Sequence, residues 1–284
     1  MHILFAIIEL DRLKVTEYSV RTDKVKREDK LRIAVLSDIH CCSFGKDNSK
    51  LINMLYSAEP DLIVISGDLI NGMEADEISF GEDLLQKLNQ YDIPVVYEYG
   101  NHEARLNNRD EKAFIRYTGI AEENSILLRN KSYKVNDSVR ITGLDIPEYM
   151  YRRGDFTVNL EKMTAEAICS SKSVVSEAIC SSDSKVSEEA YQIVVAHDPS
   201  HFELYSRAGA DLVISGHFHG GIIRLPFLGG LISPKLELFP KYSKGLYYYK
   251  NSVMCLSAGI GWHNLPIRFM NRPEIVIINL ESRK

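Results

Sequence analysis

The sequence has no apolar run of the ~20 residues that a bilayer-crossing helix needs. Its first eight residues are mostly apolar, but Glu9, Asp11 and Arg12 end that run early, and it has neither a basic start nor a small-residue cleavage site. We therefore expect residues 1–8 to form a packed helical turn or an edge strand. A weak contact with a membrane surface is the alternative, and no transmembrane segment is expected.

The sequence also has no surplus of basic residues and no cysteine framework. The formal net charge of −5 makes a nucleic-acid partner an unfavourable interpretation. The five cysteines form no C-x-x-C pair, and their odd number argues against a closed set of disulfides, so we expect a cytoplasmic protein. Neither a G-x-G-x-x-G nor a G-x-x-x-x-G-K-[ST] loop occurs, which excludes the common nucleotide-binding domains.

Short apolar runs rich in β-branched residues alternate with helix-like segments. The predicted helices cover roughly 49–58, 75–90 and 109–117, and a hairpin is predicted at 245–257. The predicted strands are 31–36, 62–65, 93–97, 139–142, 193–196, 212–214 and 275–278. This alternation is typical of an α/β protein with buried strands and mixed sheets, and we expect a single domain over residues 1–284.

A tandem repeat interrupts this pattern. EAICSSKSVVS at 166–176 is followed directly by EAICSSDSKVS at 177–187, within a Ser-rich insertion at about 164–190. We interpret the insertion as a tolerated surface duplication, since exposed insertions change stability little. A lid or a partner-binding segment is the alternative, and the period of 11 residues is compatible with a helix.

Five apolar runs end in polar residues that are common metal ligands. The runs read LRIAVLSDIH, DLIVISGDLI, IPVVYEYGNHE, YQIVVAHDP and DLVISGHFHG. A single Asp or His after a strand is usually a turn, cap or surface residue, but the ordered combination of all five is rare by chance. Imidazole, carboxylate and amide donors suit Mn, Fe or Zn. Because side chains alternate along a strand, D-x-H and H-x-H place their ligands on one side, so we expect the ends of the runs to converge on a metal cluster.

These five blocks resemble the signature of the calcineurin-like metallophosphoesterase superfamily, over roughly residues 31–280. The resemblance implies a four-layer α/β/β/α sandwich with two facing mixed sheets and two divalent metal ions. It implies that Asp38, His40, Asp68 and His219 hold the first metal. Asp68, Asn101, His197 and His217 would hold the second, and Asp68 would bridge the two ions. His102 matches the catalytic position that faces the substrate and protonates the leaving oxygen, with a supporting structural role as the alternative.

The C-terminal stretch carries a narrower resemblance. GHFHGGIIRLPFLG and PIRFMNRPEI resemble a bacterial branch of small phosphodiesterases, which includes enzymes of membrane surfaces and of UDP-sugar lipid precursors. The resemblance implies a phosphodiesterase or pyrophosphatase that attacks a small or lipid-linked phosphate ester with a metal-bridging hydroxide. A phosphomonoesterase or phosphoprotein phosphatase is the alternative enzyme, and a non-catalytic metal-binding scaffold is the alternative from another class.

Several further residues have two interpretations. Phe218 and Ile222 depart from the small or polar residues expected beside the last block, which affects the expected substrate preference. Cys41 and Cys42 follow the first ligand pair, and we interpret them as packing residues rather than redox-sensitive thiols. Arg105, Arg224 and Arg268 are interpreted as surface or salt-bridging groups, with substrate contact as the alternative.

Overall fold

The computed structural model describes most of the chain. The described residues are 9–73, 77–151, 157–170, 190–221, 223–225, 229–232, 240–262 and 268–283. The predictions for residues 1–8 and for Ile222 lie outside these ranges, as does most of the tandem repeat.

The first sheet has six strands. In spatial order they are β1 (Lys14–Thr22), β14 (Glu274–Ser282), β2 (Leu31–Leu36), β3 (Leu62–Ser66), β4 (Val95–Glu98) and β5 (Ile126–Leu127). The strands β2 to β5 are parallel, β14 is antiparallel to β2, and β1 is parallel to β14. The sheet is therefore mixed, with a parallel centre whose strands end at one edge.

The second sheet also has six strands. In spatial order they are β12 (Gly245–Tyr249), β13 (Ser252–Leu256), β9 (Leu212–Ser215), β8 (Tyr191–Val195), β7 (Val139–Gly143) and β6 (Ser132–Lys134). Only the outer pairs β12–β13 and β6–β7 are antiparallel. A separate antiparallel ribbon joins β10 (Ile223–Leu225) and β11 (Gly229–Ile232). The expectation of mixed sheets is confirmed.

Helices cover the outer face of each sheet. They are α1 (Ser49–Tyr56), α2 (Glu77–Asn89), α3 (Asn101–Arg109), α4 (Glu111–Asn124), α5 (Thr157–Ser170) and α6 (Phe202–Arg207). The helices α1 to α4 contribute buried residues to the core on the outer side of the first sheet, and α5 and α6 do so for the second.

A third core lies between the sheets and explains the continuous apolar runs. Along β2, Ile33 and Val35 belong to the core between the sheets, whereas Ala34 and Leu36 belong to the helix-covered core of the first sheet. Because successive side chains of a strand point to opposite faces, a strand buried on both faces needs apolar residues at every position. The predicted four-layer α/β/β/α sandwich is confirmed.

The structure differs from the sequence prediction at the edge strand β1 and at the helix predicted over 109–117. The structure has two helices there, because the carboxylate of Asp110 accepts a hydrogen bond from the backbone N–H of Ala113 and caps α4. The strand β1 was not predicted because its KVTEYSVRT sequence is largely polar and partly exposed. It pairs along its whole length with β14, a contact between the two ends of the chain.

The first copy of the repeat begins inside α5. Ala167 and Ile168 are buried in the core of the second sheet, at 3% and 4% exposure. These two residues are therefore buried against the second sheet, whereas the sequence analysis placed them in an exposed duplication. The remainder of the repeat, over 171–187, lies outside the described residues, and its role stays a prediction.

Candidate metal centre

The predicted ligands follow the ends of strands in both sheets. Asp38 and His40 follow β2 and Asp68 follows β3, whereas Asn101 and His102 open α3 after β4. From the second sheet, His197 follows β8, and His217 and His219 follow β9. All eight side chains therefore belong to the carboxyl ends of parallel strands, where α/β proteins commonly place their ligands.

These side chains form three overlapping groups. Within each group the possible ligand atoms lie within 4.8 Å of one another. The groups are Asp38 with His40 and His219, then Asp68 with His197 and His217, and finally His40 with Asp68 and His102. The first group contains the ligands expected for the first metal except Asp68, and the second contains those expected for the second metal except Asn101. Each group could hold one metal ion.

Asp68 lies at the centre of the cluster. Its Oδ2 is 3.0 Å from Nε2 of His197, 3.8 Å from Nε2 of His40 and 3.9 Å from Nε2 of His102. Asp38 is also close to two imidazoles. Its Oδ1 lies 3.5 Å from Nε2 of His219 and 3.8 Å from Nε2 of His197. Imidazole nitrogens thus surround both carboxylates at distances that leave room for cations between them.

Asn101 provides an independent test of whether the pocket fits a metal. Its Oδ1 is buried and has no hydrogen-bond partner in the part of the chain that the structure describes. A buried amide oxygen without a partner is unfavourable by about 1–3 kcal/mol. A divalent cation at this position would satisfy it, so the donor set fits the expected metal chemistry.

The charges of the pocket also favour cations. Burial raises the pKa of Asp38 and acts against the charge of Asp68, but His197, His102 and His40 outweigh burial at Asp68 and lower its pKa. Burial alone would lower the pKa of His197, but Asp68 and Asp38 raise it to about 10. In the absence of other cations, His197 is therefore protonated at neutral pH and offsets part of the carboxylate charge.

The side chains of D-x-H and H-x-H converge as predicted, but the prediction that strand alternation places them on one side is wrong. The strands β2 and β9 end at Leu36 and Ser215, so neither pair belongs to a strand. Five of the predicted ligands have left-handed backbone conformations instead, with φ of 48° to 72° at Asp38, His40, Asp68, His217 and His219. Such conformations are rare outside glycine, and here tight turns rather than strand alternation aim the side chains into the pocket.

Two glycines make room for these turns. At Gly67, with φ of 89°, a Cβ atom would lie 2.5 Å from Nδ1 of His197. At Gly100 a Cβ atom would fall on Oδ1 of Asp68. The glycines of the G-D and G-N-H-E blocks are thus required by close packing around Asp68.

Glu103 is a supporting residue to which the sequence analysis assigned no role. Its carboxylate accepts hydrogen bonds from the backbone N–H groups of Asp68, Leu69, Ile70 and Gly100 and from the hydroxyl of Tyr97. Burial, and then the nearby Asp68, raise the pKa of Glu103, whereas five donors favour its ionised form. Glu103 therefore holds the backbone turn that presents Asp68.

We expect Glu103→Gln to lower the free energy of unfolding by about 2–4 kcal/mol, because an amide NH₂ would face buried N–H donors. Denaturant unfolding of the protein in the presence of a chelator measures this effect apart from metal binding. Glu82→Gln is the matched control, since Glu82 is half-buried and, among the described residues, its carboxylate accepts a hydrogen bond from the side chain of Gln86 alone. Equal stability of the two variants would contradict the role assigned to Glu103.

Asn271 is a second supporting residue, and it lies in the PIRFMNRPEI stretch. Its Nδ2 donates to the backbone carbonyls of His219, at 2.5 Å, and of Gly221, at 2.9 Å. Arg268 in the same stretch donates to the carbonyl of Gly261, whose backbone N–H in turn donates to the carbonyl of Asp38. This stretch therefore supports the turns that carry Asp38 and His219, which are both predicted ligands of the first metal.

We expect Asn271→Ala to weaken the first metal site by about 10- to 100-fold, as is usual for groups that orient metal ligands, and to leave the second site near its original affinity. Elemental analysis after dialysis against buffered Mn²⁺ should then give about one ion per chain instead of two. Asn124→Ala is the matched control, because Asn124 also donates to a carbonyl, that of Ile120, far from the cluster. Two ions in both variants would contradict the support assigned to Asn271.

The structure revises the interpretation of the three arginines. Arg105 forms an ion pair with Glu148 at 3.7 Å, as expected, and also lies 3.3 Å from Nδ1 of His102. Arg224 is partly buried and donates to the carbonyl of Gly220. The surface interpretation of Arg268 is wrong: it is 2% exposed and its guanidinium binds backbone carbonyls, because the C-terminal turn folds over it.

His102 faces the cluster in a fixed orientation. Its backbone N–H donates to Oδ1 of Asp68 at 2.9 Å, and its Nδ1 lies 2.5 Å from the carbonyl of Asn71. Since a carbonyl only accepts, Nδ1 carries a proton and Nε2 is directed toward Asp68. The ring therefore presents one nitrogen to the pocket, where it could exchange a proton with a bound group.

Cys41, Cys42 and Phe218 lie next to predicted ligands in the sequence, and their burial decides between their two interpretations. Cys42 is buried and Cys41 partly so, and burial raises the pKa of Cys41 to about 12 and of Cys42 to about 11, which disfavours reactive thiolates. Phe218 is 5% exposed and packs in the core of the second sheet, which explains an aromatic residue between His217 and His219.

Comparison with known proteins identifies sequence relatives. The family profile described as "Calcineurin-like phosphoesterase" matches residues 31–221. An uncharacterized metallophosphoesterase of Bacillus subtilis is 25% identical over 283 residues, which cover 97% of this chain and 88% of that protein. One of Aquifex aeolicus is 24% identical over 285 residues, which cover 98% and 96%. The profile match includes all the predicted ligands.

Two solved structures are also similar. A dimetal phosphatase from Danio rerio matches with a TM-score of 0.47 at 10% identity, over 88% of this chain and 98% of its own. The protein TT1561 of Thermus thermophilus matches with a TM-score of 0.49 at 10% identity, over 81% of this chain and 90% of its own.

None of the helices that the structure describes has the length and apolar composition of a membrane-spanning segment.

Proposed function

Because this chain belongs to the calcineurin-like phosphoesterase family, we propose that it is a two-metal phosphodiesterase or pyrophosphatase acting on a small or lipid-linked phosphate ester. The names of the relatives give no substrate. The substrate class in this proposal comes from the resemblance of the C-terminal stretch to small bacterial phosphodiesterases. The cytoplasmic location stays a prediction.

The position of Asp68 is the observation that carries the proposal. Its carboxylate lies between the group of Asp38, His40 and His219 and the group of His197 and His217. Its Oδ2 lies near His40 of one group and His197 of the other, so Asp68 would be a ligand shared by both ions. The unpartnered oxygen of Asn101 supports the completion of the second site.

When bound, two divalent ions supply positive charge that lowers the pKa of water and offsets charge on phosphoryl oxygens. Asp38 and Asp68 contribute two negative charges to the cluster, so the loaded site keeps a net positive charge that attracts phosphate. The cluster is otherwise lined by imidazoles, which add no negative charge. This electrostatic bias favours an anionic ester over a neutral substrate.

His102 is proposed to protonate the leaving oxygen. The Asn71 carbonyl holds the ring by Nδ1, which leaves Nε2 to carry the transferred proton. The backbone bond from His102 to Asp68 keeps this proton donor next to the proposed bridging ligand. A positioned acid of this kind contributes about 10²–10⁴-fold to turnover.

Metal analysis combined with a panel of esters tests the proposal. We expect about two ions per chain and faster hydrolysis of bis(4-nitrophenyl) phosphate than of 4-nitrophenyl phosphate, with Mn²⁺ supplied. The two esters share a leaving group, so the ratio reports the preference for diesters. Faster hydrolysis of the monoester would favour a phosphomonoesterase, and a protein loaded with metal but inactive on the whole panel would favour a non-catalytic scaffold.

A further inference from the structure

Tyr151 lies beside the second group of predicted ligands. It is the last residue of the short 3₁₀ helix Glu148–Tyr151, which follows β7, and it packs in the core of the second sheet. The centroid of its ring is 5.2 Å from the ring of His217 and 6.1 Å from the ring of His197. The side chain therefore forms part of the wall around the second metal site.

The hydroxyl of Tyr151 is buried without a hydrogen bond. The residue is 7% exposed, and its OH has no partner within the part of the chain that the structure describes. Other buried tyrosines of the protein do have partners: Tyr205 donates to the carbonyl of Asp198, and Tyr97 donates to Glu103. A buried hydroxyl without a partner is unfavourable, so a protein that retains one commonly uses it to bind another group.

The neutral hydroxyl of a tyrosine such as Tyr151 can donate one hydrogen bond. Burial raises the pKa of Tyr151 well above its usual value, and the carboxylate of Asp68 is the strongest charged contribution in the same direction. The ring lies against the imidazoles of His217 and His197, so the hydroxyl can donate its hydrogen bond to a group bound beside them. An anionic oxygen is the partner that such a donor binds most strongly.

We propose that Tyr151 is a further catalytic residue, whose hydroxyl donates a hydrogen bond to a phosphoryl oxygen of the ester bound beside Asp68, His197 and His217. This inference rests on the proposed phosphoesterase function. His102 would contact the leaving oxygen, whereas Tyr151 would bind an oxygen that stays on phosphorus. The two residues approach Asp68 from different sheets, because His102 follows β4 and Tyr151 follows β7.

Tyr151→Phe tests the proposal with minimal disturbance, since it removes one oxygen and keeps the ring. Inorganic phosphate is the binding probe, titrated into the Mn²⁺-loaded protein. We expect phosphate to bind about 10- to 100-fold more weakly and kcat/KM for bis(4-nitrophenyl) phosphate to fall by a similar factor, as for the loss of a hydrogen bond to a charged group. Metal content and Tm should not fall, because the lost hydroxyl has no hydrogen-bond partner among the residues that the structure describes.

Tyr56→Phe is the matched control. The Tyr56 hydroxyl donates to the carbonyl of Leu88 at 3.0 Å, and its ring stacks on Tyr91, away from the cluster. This variant should lower Tm and leave phosphate affinity and kcat/KM unchanged. The opposite pattern in the two variants separates a substrate contact from a structural hydroxyl.

The outcomes distinguish this inference from the proposed function. Wild-type protein that binds phosphate but hydrolyses no ester would overturn the proposed function, and the phosphate affinity of Tyr151→Phe would still decide whether the hydroxyl binds phosphate. Equal phosphate affinity and equal kcat/KM in wild type and Tyr151→Phe would overturn the role of Tyr151. Wild-type protein that binds no phosphate when loaded with metal would overturn both.

Discussion

Replacing Asp68 with alanine is expected to empty both metal sites and to lower turnover by about 10³-fold or more, since the loss of a single preorganised charge-stabilising group already lowers it by about 10²–10³. The expectation follows from the central position of the side chain. Its Oδ2 lies 3.0 Å from His197 and 3.8 Å from His40, which belong to different predicted sites. Elemental analysis and kcat for a phosphodiester measure the two effects.

Two further variants make the Asp68 experiment decisive. Asp68→Asn keeps an oxygen that can accept the hydrogen bond from the backbone N–H of His102, so it preserves the turn while removing the charge. Asp83→Ala is the control, because Asp83 is exposed and forms a surface ion pair with Lys87 on α2. Retention of two ions per chain in a folded Asp68→Asn variant would mean that the bridging position is wrongly assigned.

His102→Ala should keep both metals and lower kcat by about 10²–10⁴-fold. The effect should be largest for esters with poor leaving groups, because only these need a proton at the departing oxygen. Rates for a series of aryl phosphodiesters with increasing leaving-group pKa measure this dependence. His201→Ala is the matched control, since His201 lies on the 3₁₀ helix Pro199–His201 and belongs to none of the three ligand groups.

The metal content of His102→Ala shows whether His102 is a metal ligand rather than a proton donor. His102 forms a group with Asp68 and His40 in which the possible ligand atoms lie within 4.8 Å of one another, as they do in the groups of predicted ligands. Its position alone therefore does not show whether His102 is a ligand or a proton donor. Loss of an ion from His102→Ala would make it a ligand. A decrease in kcat that is independent of the leaving group would contradict the role of proton donor.

The buried strands and the positions of the candidate ligands were predictable because both depend on local sequence. The strand β2 has the predicted bounds Leu31–Leu36, since its buried part, residues 33–36, is apolar at every position and the strand ends where polar residues begin. The change from apolar to polar residues also predicted that Asp38 and His197 follow the ends of strands. The order of the five blocks then predicted a cluster before any geometry was known.

The support of the cluster was not predictable from local patterns. Glu103 binds the backbone of the Asp68 turn and Asn271 binds the carbonyl of His219, which are contacts between residues 35 and 52 positions apart. Tyr151 also reaches the site from another loop, in a stretch without a recognisable motif. Each of these contacts depends on how the two sheets face each other.

The sequence by itself determined the α/β class, the strands that are followed by candidate metal ligands and the kind of donor that these residues offer, because alternation, burial and ligand chemistry are properties of short segments. Only the tertiary structure decided that left-handed turns at Asp38, Asp68 and His219 aim those donors at one pocket. It also decided that the hydroxyl of Tyr151 is buried beside the pocket. The physical reason is that convergence depends on backbone turns and long-range packing, which no single stretch of sequence contains.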